Sequence, residues 1–117
     1  MNKPVSLVRS LTQWKQHEIE KFFKTSTRPC KHQGLDVRVA KSDGKIGRIL
    51  VITPAKAGNA IQRNRFKRRI RMIFYAEKLF THGFDWMVLV NNKGIELPFH
   101  ELKSFLLCVA KNLPSPS

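Results

Sequence analysis

Gly58-Asn59-Ala60-Ile61-Gln62-Arg63-Asn64-Arg65-Phe66-Lys67-Arg68 is the stretch on which the fold turns. Phe66, Ile70 and Ile73 recur at i, i+4 and i+7 with Phe74 beside them, which predicts a helix with one apolar stripe. Gly58 to Leu79 reads as a single helix, about 33 Å long if unbroken. Its other side is crowded with cations. Six of the nine residues from Arg63 to Arg71 are Lys or Arg, and between Gly44 and Ala76 nine basic residues occur with no acid. Arg63, Lys67 and Arg71 follow one another at i, i+4 and i+8, a like-charge repeat that weakens a helix. Cations at a helix start also oppose its dipole. Both penalties vanish when phosphates occupy the surface, because the helix N-terminus and the side chains then attract the same ligand. The plainer alternative is a solvated basic face with no specific ligand.

The flanking sequence supplies a sheet and two more helices. Before the basic segment, Leu11 to Lys24 has helical spacing, with Ser10 and Gln13 as a capping box and Ile19, Phe22 and Phe23 at i, i+3, i+4. Phe22 and Phe23 lie about 100° apart on a helix, so both cannot face the core equally. Phe22 is expected inward and Phe23 toward a cleft; burial of both is the alternative. Thr25 to Gln33 reads as a loop. Leu35, Val37 and Val39 alternate with polar residues as a half-buried strand does, Ser42-Asp43-Gly44 is a turn signal, and Ile46 to Thr53 suits a central strand. After the basic segment, Gly83-Phe84 is a stop and Trp86 to Val90 a buried strand. Leu97-Pro98 opens a last helix, with Phe99, Leu102, Leu106, Val109 and Leu113 along one face. The order is helix, two or three strands, helix, strand, helix, an α/β or α+β arrangement with helices packed on a small sheet.

Composition bounds the function. The 117 residues suit one domain, with residues 1–113 folded and 114–117 a disordered tail. Twenty-two Lys and Arg against eight Asp and Glu leave a formal charge of +14, an excess that a polyanion relieves. No apolar run approaches the roughly 20 residues of a membrane span, and no secretory leader is evident. Cys30 and Cys108 are expected to be free thiols in a reducing cytosol. Cys30 and His32 could both ligate a metal, but no second pair follows. The acids are scattered, as are His17, His32, His82 and His100, so neither a carboxylate cluster nor an acid–base pair is legible.

The segment from Lys56 to Arg68 resembles the RNR signature of the bacterial ribonuclease P protein subunit, and the resemblance runs over roughly residues 10–112. It implies an α+β fold, a compact two-layer αβββαβα sandwich. The sheet would be small and mixed with an unusual left-handed crossover, as in a domain of a ribosomal protein. It further implies the protein subunit of an endoribonuclease whose catalytic RNA removes the 5′ leader from precursor tRNA. The chemistry would belong to that RNA, which would use Mg²⁺, with no catalytic residue, metal or cofactor on this chain. By the same resemblance Lys56, Asn59, Arg63, Asn64, Arg65, Lys67, Arg68 and Arg71 face the RNA, and Ile19 and Phe23 line a leader cleft. Arg38 stands on the sheet face of that cleft where relatives often place an aromatic. Ala55, Pro54, Leu50 and Arg69 also depart from the family pattern. The implied partners are the catalytic RNA, in a 1:1 cytoplasmic particle, and precursor tRNA. The rivals are a ribosomal or other structural RNA-binding protein of similar fold and a cationic membrane-surface protein. The second needs a clean apolar helix face, which Arg69 interrupts.

Overall fold

The structure is a computed structural model that describes residues 14–44 and 46–114. Among the described residues, three helices, α1 (Gln16–Thr25), α2 (Ala60–Ala76) and α3 (Phe99–Lys111), accompany three strands, β1 (Leu35–Lys41), β2 (Ile49–Ile52) and β3 (Phe84–Val90). The strands form one sheet in the order β1-β3-β2. β1 runs antiparallel to β3, from Leu35 opposite Val90 to Lys41 opposite Phe84. β2 runs parallel to β3, from Ile49 opposite Trp86 to Ile52 opposite Leu89. A parallel pair needs a long crossover, and α2 is that crossover. The α+β class with a small mixed sheet is as expected. The additional strand of the αβββαβα string is reduced here to one bridge, in which Thr27 and Val39 exchange backbone hydrogen bonds of 2.8 and 2.9 Å.

The central position of β3 explains its composition. Trp86, Met87 and Val88 are all buried, because both faces of the strand are covered there. Leu35, Val37, Val39, Ile49, Val51, Trp86, Val88 and Val90 face one way and pack against Phe66, Ile70, Ile73 and Phe74 of α2 and Leu102, Leu106 and Val109 of α3. That sheet-and-helix sandwich is the main body. On the opposite face a smaller cluster of Phe22, Ala40 and Met87, flanked by Trp14, Leu50 and Ile52, seats α1.

Several boundaries differ from the sequence expectation. Helix α1 starts at Gln16, with Trp14 and Lys15 outside it: the Lys15 backbone N–H donates to the Glu18 carboxylate at 2.8 Å and fixes the entry there, while Leu11 lies outside the described residues. Ser10 and Gln13 lie outside the described residues. β2 is shorter than Ile46 to Thr53. Gly47 passes so close to the start of β3 that a Cβ would sit 1.9 Å from the Phe84 carbonyl oxygen, and its N–H donates to Phe80 O at 2.9 Å. The chain thus runs past a turn before joining the ladder. The basic helix spans 17 residues, about 26 Å, rather than extending to Leu79. Lys78 adopts a left-handed conformation (φ 52°), and a 3₁₀ turn at Leu79–His82 tucks Leu79 into the core. In α3, Phe99 is exposed because it is the first helical residue, ahead of the buried Leu102, Leu106 and Val109.

Candidate nucleic-acid interface

Helix α2 is built by its cap and its stripe. The Asn59 side chain accepts from the Gln62 N–H at 2.8 Å, and the Gln62 side chain accepts in return from the Asn59 N–H at 2.9 Å. This reciprocal box satisfies two amides that a helix start otherwise leaves bare. Gly58 makes room for it, since a Cβ there would stand 2.5 Å from Gln62 Oε1. The Gln62 amide also reaches the Glu96 carboxylate. Asn59, a sequence candidate for RNA contact, is thus first a helix cap whose Oδ1 is already engaged.

With the apolar stripe of α2 buried, its cations emerge on the remaining surface. Asn64, Arg65 and Arg68 are exposed, Arg63, Lys67, Arg69 and Arg71 are half-buried, and Lys56 is exposed on the 3₁₀ turn Ala55–Ala57 that leads into the helix. Among the described residues, none of the six cations from Arg63 to Arg71 is in an ion pair. Two of them are partly committed to the fold. Arg63 Nε donates to Gly58 O at 3.1 Å, bracing the helix start. Arg71 has its Nε buried without a hydrogen-bond partner, and the nearby Tyr75 hydroxyl is in the same condition. Burial raises the Tyr75 phenol above its ordinary pKa, with Arg71 partly countering the effect. Ile61 and Met72 are exposed apolar residues on the same helix.

The other face of the sheet carries the second group of candidates. Phe22 is buried and Phe23 is 48% exposed, so the adjacent pair divides as its spacing suggested. The Arg38 guanidinium stands 6.0 Å from the centre of the Phe23 ring, which brings these two candidates together. Ile19, half-buried, lies one turn earlier on α1. Asp36, which the sequence reading did not single out, sits between two cations: Arg38 at 3.3 Å and Arg28 at 3.7 Å.

Arg48 was also missed, and it holds α1 in place. Its guanidinium bonds Glu18 at 2.9 Å and Asp85 at 3.5 Å and lies 4.8 Å from the Trp14 ring centre, while its backbone N–H donates to Asp85 at 2.8 Å. Asp85 is the one charged residue buried among those described, and Arg48 accounts for it. The Lys15 N–H and Arg48 together hold the Glu18 carboxyl below the usual range. Residues 30 and 37 positions apart meet here, a proximity no local pattern announces.

A cavity of about 710 Å³ opens between α1 and the turn after β1, lined by Glu18, Lys21, Asp43, Arg48 and Asp85 among others. Its lining includes none of the sequence candidates. A smaller hollow beside Lys56 is lined by Pro54, Ala57, Val90, Asn91 and Asn92. This hollow lies where the parallel neighbours β2 and β3 place their C-terminal ends together, a position at which open α/β sheets form crevices. Among the described residues, no three His, Cys, Asp or Glu side chains converge to hold a metal ion, and no helix is long and apolar enough to cross a membrane.

Comparison with known proteins agrees with this architecture. Residues 9–113 match the family model described as Ribonuclease P. The ribonuclease P protein component of Bacillus pumilus is 30% identical over 93 residues, covering 79% of this chain and 78% of that protein. That of Listeria innocua is 26% identical over 98 residues, covering 83% and 82%. The solved Staphylococcus aureus RNase P protein superposes with a TM-score of 0.74 at 20% identity, over 89% of this chain and 98% of that one. The Thermotoga maritima RNase P protein, solved with 1-(4-fluorophenyl)-2-thiourea, gives 0.74 at 24% identity, over 87% and 100%. At such identities the structural matches speak for the fold alone.

Proposed function

The chain belongs to the ribonuclease P protein family and is a subunit of ribonuclease P, and from that premise we propose how its surfaces divide the work. Helix α2 docks the catalytic RNA through Arg65, Arg68 and Lys67, with Asn64 offering an amide to a sugar or base edge. Lys56, Arg63 and Arg71 border this surface, and Asn59 shapes it as the cap. The observation that carries the reading is the run of six cations with no ion pair among the described residues. A folded helix retains such uncompensated charge at a cost in stability, and a phosphate backbone offsets that cost.

The single-stranded 5′ leader of precursor tRNA lies across the open sheet face, over Phe23 and Arg38 and beside Ile19. The exposed Phe23 ring offers a base a stacking surface, and Arg38 offers a phosphate or a second π-face. Bond cleavage is assigned to the RNA, with Mg²⁺ bound there. The protein's contribution is then positional: it screens repulsion between two RNAs and holds the substrate in register. The particle is read as 1:1 and cytoplasmic.

The deciding experiment mixes the full chain with the catalytic RNA and precursor tRNA at low Mg²⁺. The chain alone leaves the precursor intact, and the mixture releases the leader faster than RNA alone. Absence of stimulation across a Mg²⁺ titration refutes the proposal.

A further inference from the structure

The loop from Ser26 to Gly34 wraps the free edge of β1 and touches both faces of the molecule. On one side Arg28 reaches Asp36 at 3.7 Å. On the other, the His32 ring meets Phe105 of α3 with centres 5.2 Å apart, and Cys30 packs against the main core. Cys30 Sγ lies 3.1 Å from Cys108 Sγ of α3, and both cysteines are free thiols. The Asn112 side chain donates to Cys108 O at 2.8 Å and lies 3.8 Å from each sulfur, so the two thiols share one polar neighbour.

We propose that Cys30 and Cys108 are a thiol pair that closes into an intramolecular disulfide by exchange with a small-molecule disulfide. A disulfide needs the sulfurs at about 2.05 Å, roughly 1 Å nearer than they stand, a movement within the reach of side-chain rotation and small loop shifts. The exposed Cys108 reacts first. Its thiolate attacks one sulfur of the small disulfide, forming a mixed disulfide and expelling one thiolate, which takes up a proton. Cys30, held against that sulfur, then attacks it after losing its proton to water or buffer. The second small thiolate leaves, and the Cys30–Cys108 bond forms. Two protein thiols are oxidised and one small disulfide is reduced to two thiols, so electrons and protons balance. Burial, with the neighbouring Cys108 sulfur adding to it, pushes the Cys30 thiol up to about 11. Cys30 is therefore poorly suited to open the sequence and suited to close it, where proximity replaces intrinsic reactivity. The bond would tie the β1-edge loop to α3, across 78 positions of sequence.

The test incubates the full chain with oxidised glutathione and follows intact mass, linked peptides and thermal unfolding. The expected product has lost two hydrogens and carries no glutathione, yields a peptide joining Cys30 to Cys108, and reverts with dithiothreitol. Closing so long a loop should raise the unfolding midpoint by on the order of 10 °C. The variant Cys30→Ser should accumulate a stable glutathione adduct on Cys108, because nothing resolves it, whereas Cys108→Ser should leave Cys30 largely unmodified. Lasting glutathione adducts on the wild type, cross-linked dimers, or no reaction would each overturn the proposal. Faster labelling of Cys30 in Cys108→Ser than of Cys108 in Cys30→Ser would overturn the order of attack. None of these readouts depends on RNA.

Discussion

Replacing Arg68 by Ala tests the RNA-docking role of α2 with little risk to the fold. Arg68 is exposed and has no ion pair among the described residues, so the folded state loses little. The signature lies in the salt dependence of binding. Each phosphate contact contributes about 0.7 to 0.9 to the slope of log K against log salt, the lower value for single strands. Between about 50 mM and about 200 mM salt, a fourfold range, one lost contact therefore changes the affinity ratio of wild type to Arg68→Ala by about threefold. The variant is weaker at low salt, and its deficit narrows by that factor as salt rises. The assay is equilibrium binding to the catalytic RNA at four or more salt concentrations. Two controls separate charge from shape. Arg68→Lys should keep the wild-type slope, while Lys103→Ala should keep it because Lys103 serves Glu77 at 3.4 Å rather than α2's outer surface. A slope for Arg68→Ala equal to wild type would show that Arg68 is not at a phosphate, and the α2 docking face would then have to be redrawn.

Other expectations follow from the opposite face and from its clamp. Phe23→Ala should weaken binding of precursor tRNA to the assembled enzyme by roughly 5- to 150-fold, the worth of one base stack of about 1 to 3 kcal/mol, and spare leaderless tRNA; equal loss for both substrates would assign Phe23 to packing. Arg48→Ala should cost about 2 to 4 kcal/mol in denaturant unfolding, from charged hydrogen bonds to Glu18 and Asp85 and the contact with Trp14; a loss under about 0.5 kcal/mol would mean that α1 is held without it. Glu18 gives a pH signature. Its pKa is lowered in the folded state, so its stabilising effect is present above the ordinary value of 4.5 and is lost as pH falls through the lower folded value. Thermal unfolding of wild type and Glu18→Gln should therefore converge in acid below pH 4.5, and a constant gap between them at all acid pH values would contradict the linkage.

The sequence revealed most where one element carried its own pattern. Phe66, Ile70, Ile73 and Phe74 repeat at helical spacing, and that stripe alone oriented the α2 cations outward. Phe22 and Phe23 could be separated because two adjacent helical positions cannot share a direction. Boundaries were harder, because they depend on tertiary partners. Helix α1 begins where Glu18 turns back to the Lys15 N–H, and β2 is shortened by the close passage of Gly47 at Phe84. Asn59 illustrates a different difficulty. Its residue type suits both an RNA contact and a helix cap, and only the reciprocal bonds with Gln62 show the second use. Arg48 stayed hidden because its charge partners come from α1 and β3. Asp36 stayed hidden because strand alternation marks it only as polar, and says nothing of the two arginines that close on it.

The separation of the two surfaces has its cause in the sheet. Nine of its aliphatic and aromatic side chains, from Leu35 to Val90, belong to the cluster with α2 and α3, so most of the hydrophobic cohesion is spent on one face. The other face needs only Phe22, Ala40 and Met87, with their neighbours, to seat α1. It can therefore leave Leu50, Ile52, Leu89 and Arg38 half-exposed without losing the fold. The α2 cations lie in the helix layer beyond the sheet, about 10 Å or more from the Phe23–Arg38 face, which is close to a Debye length at moderate salt. Charge neutralised on α2 is thus only partly felt at the other face. Asp36 lowers the positive potential there further by pairing with Arg28 and Arg38. On the proposed division of work, a highly charged RNA would be served by the unpaired helix, whereas a short single strand would meet an aromatic ring and a partly neutralised arginine. One small core can support both because each surface rests on a different side of the same three strands.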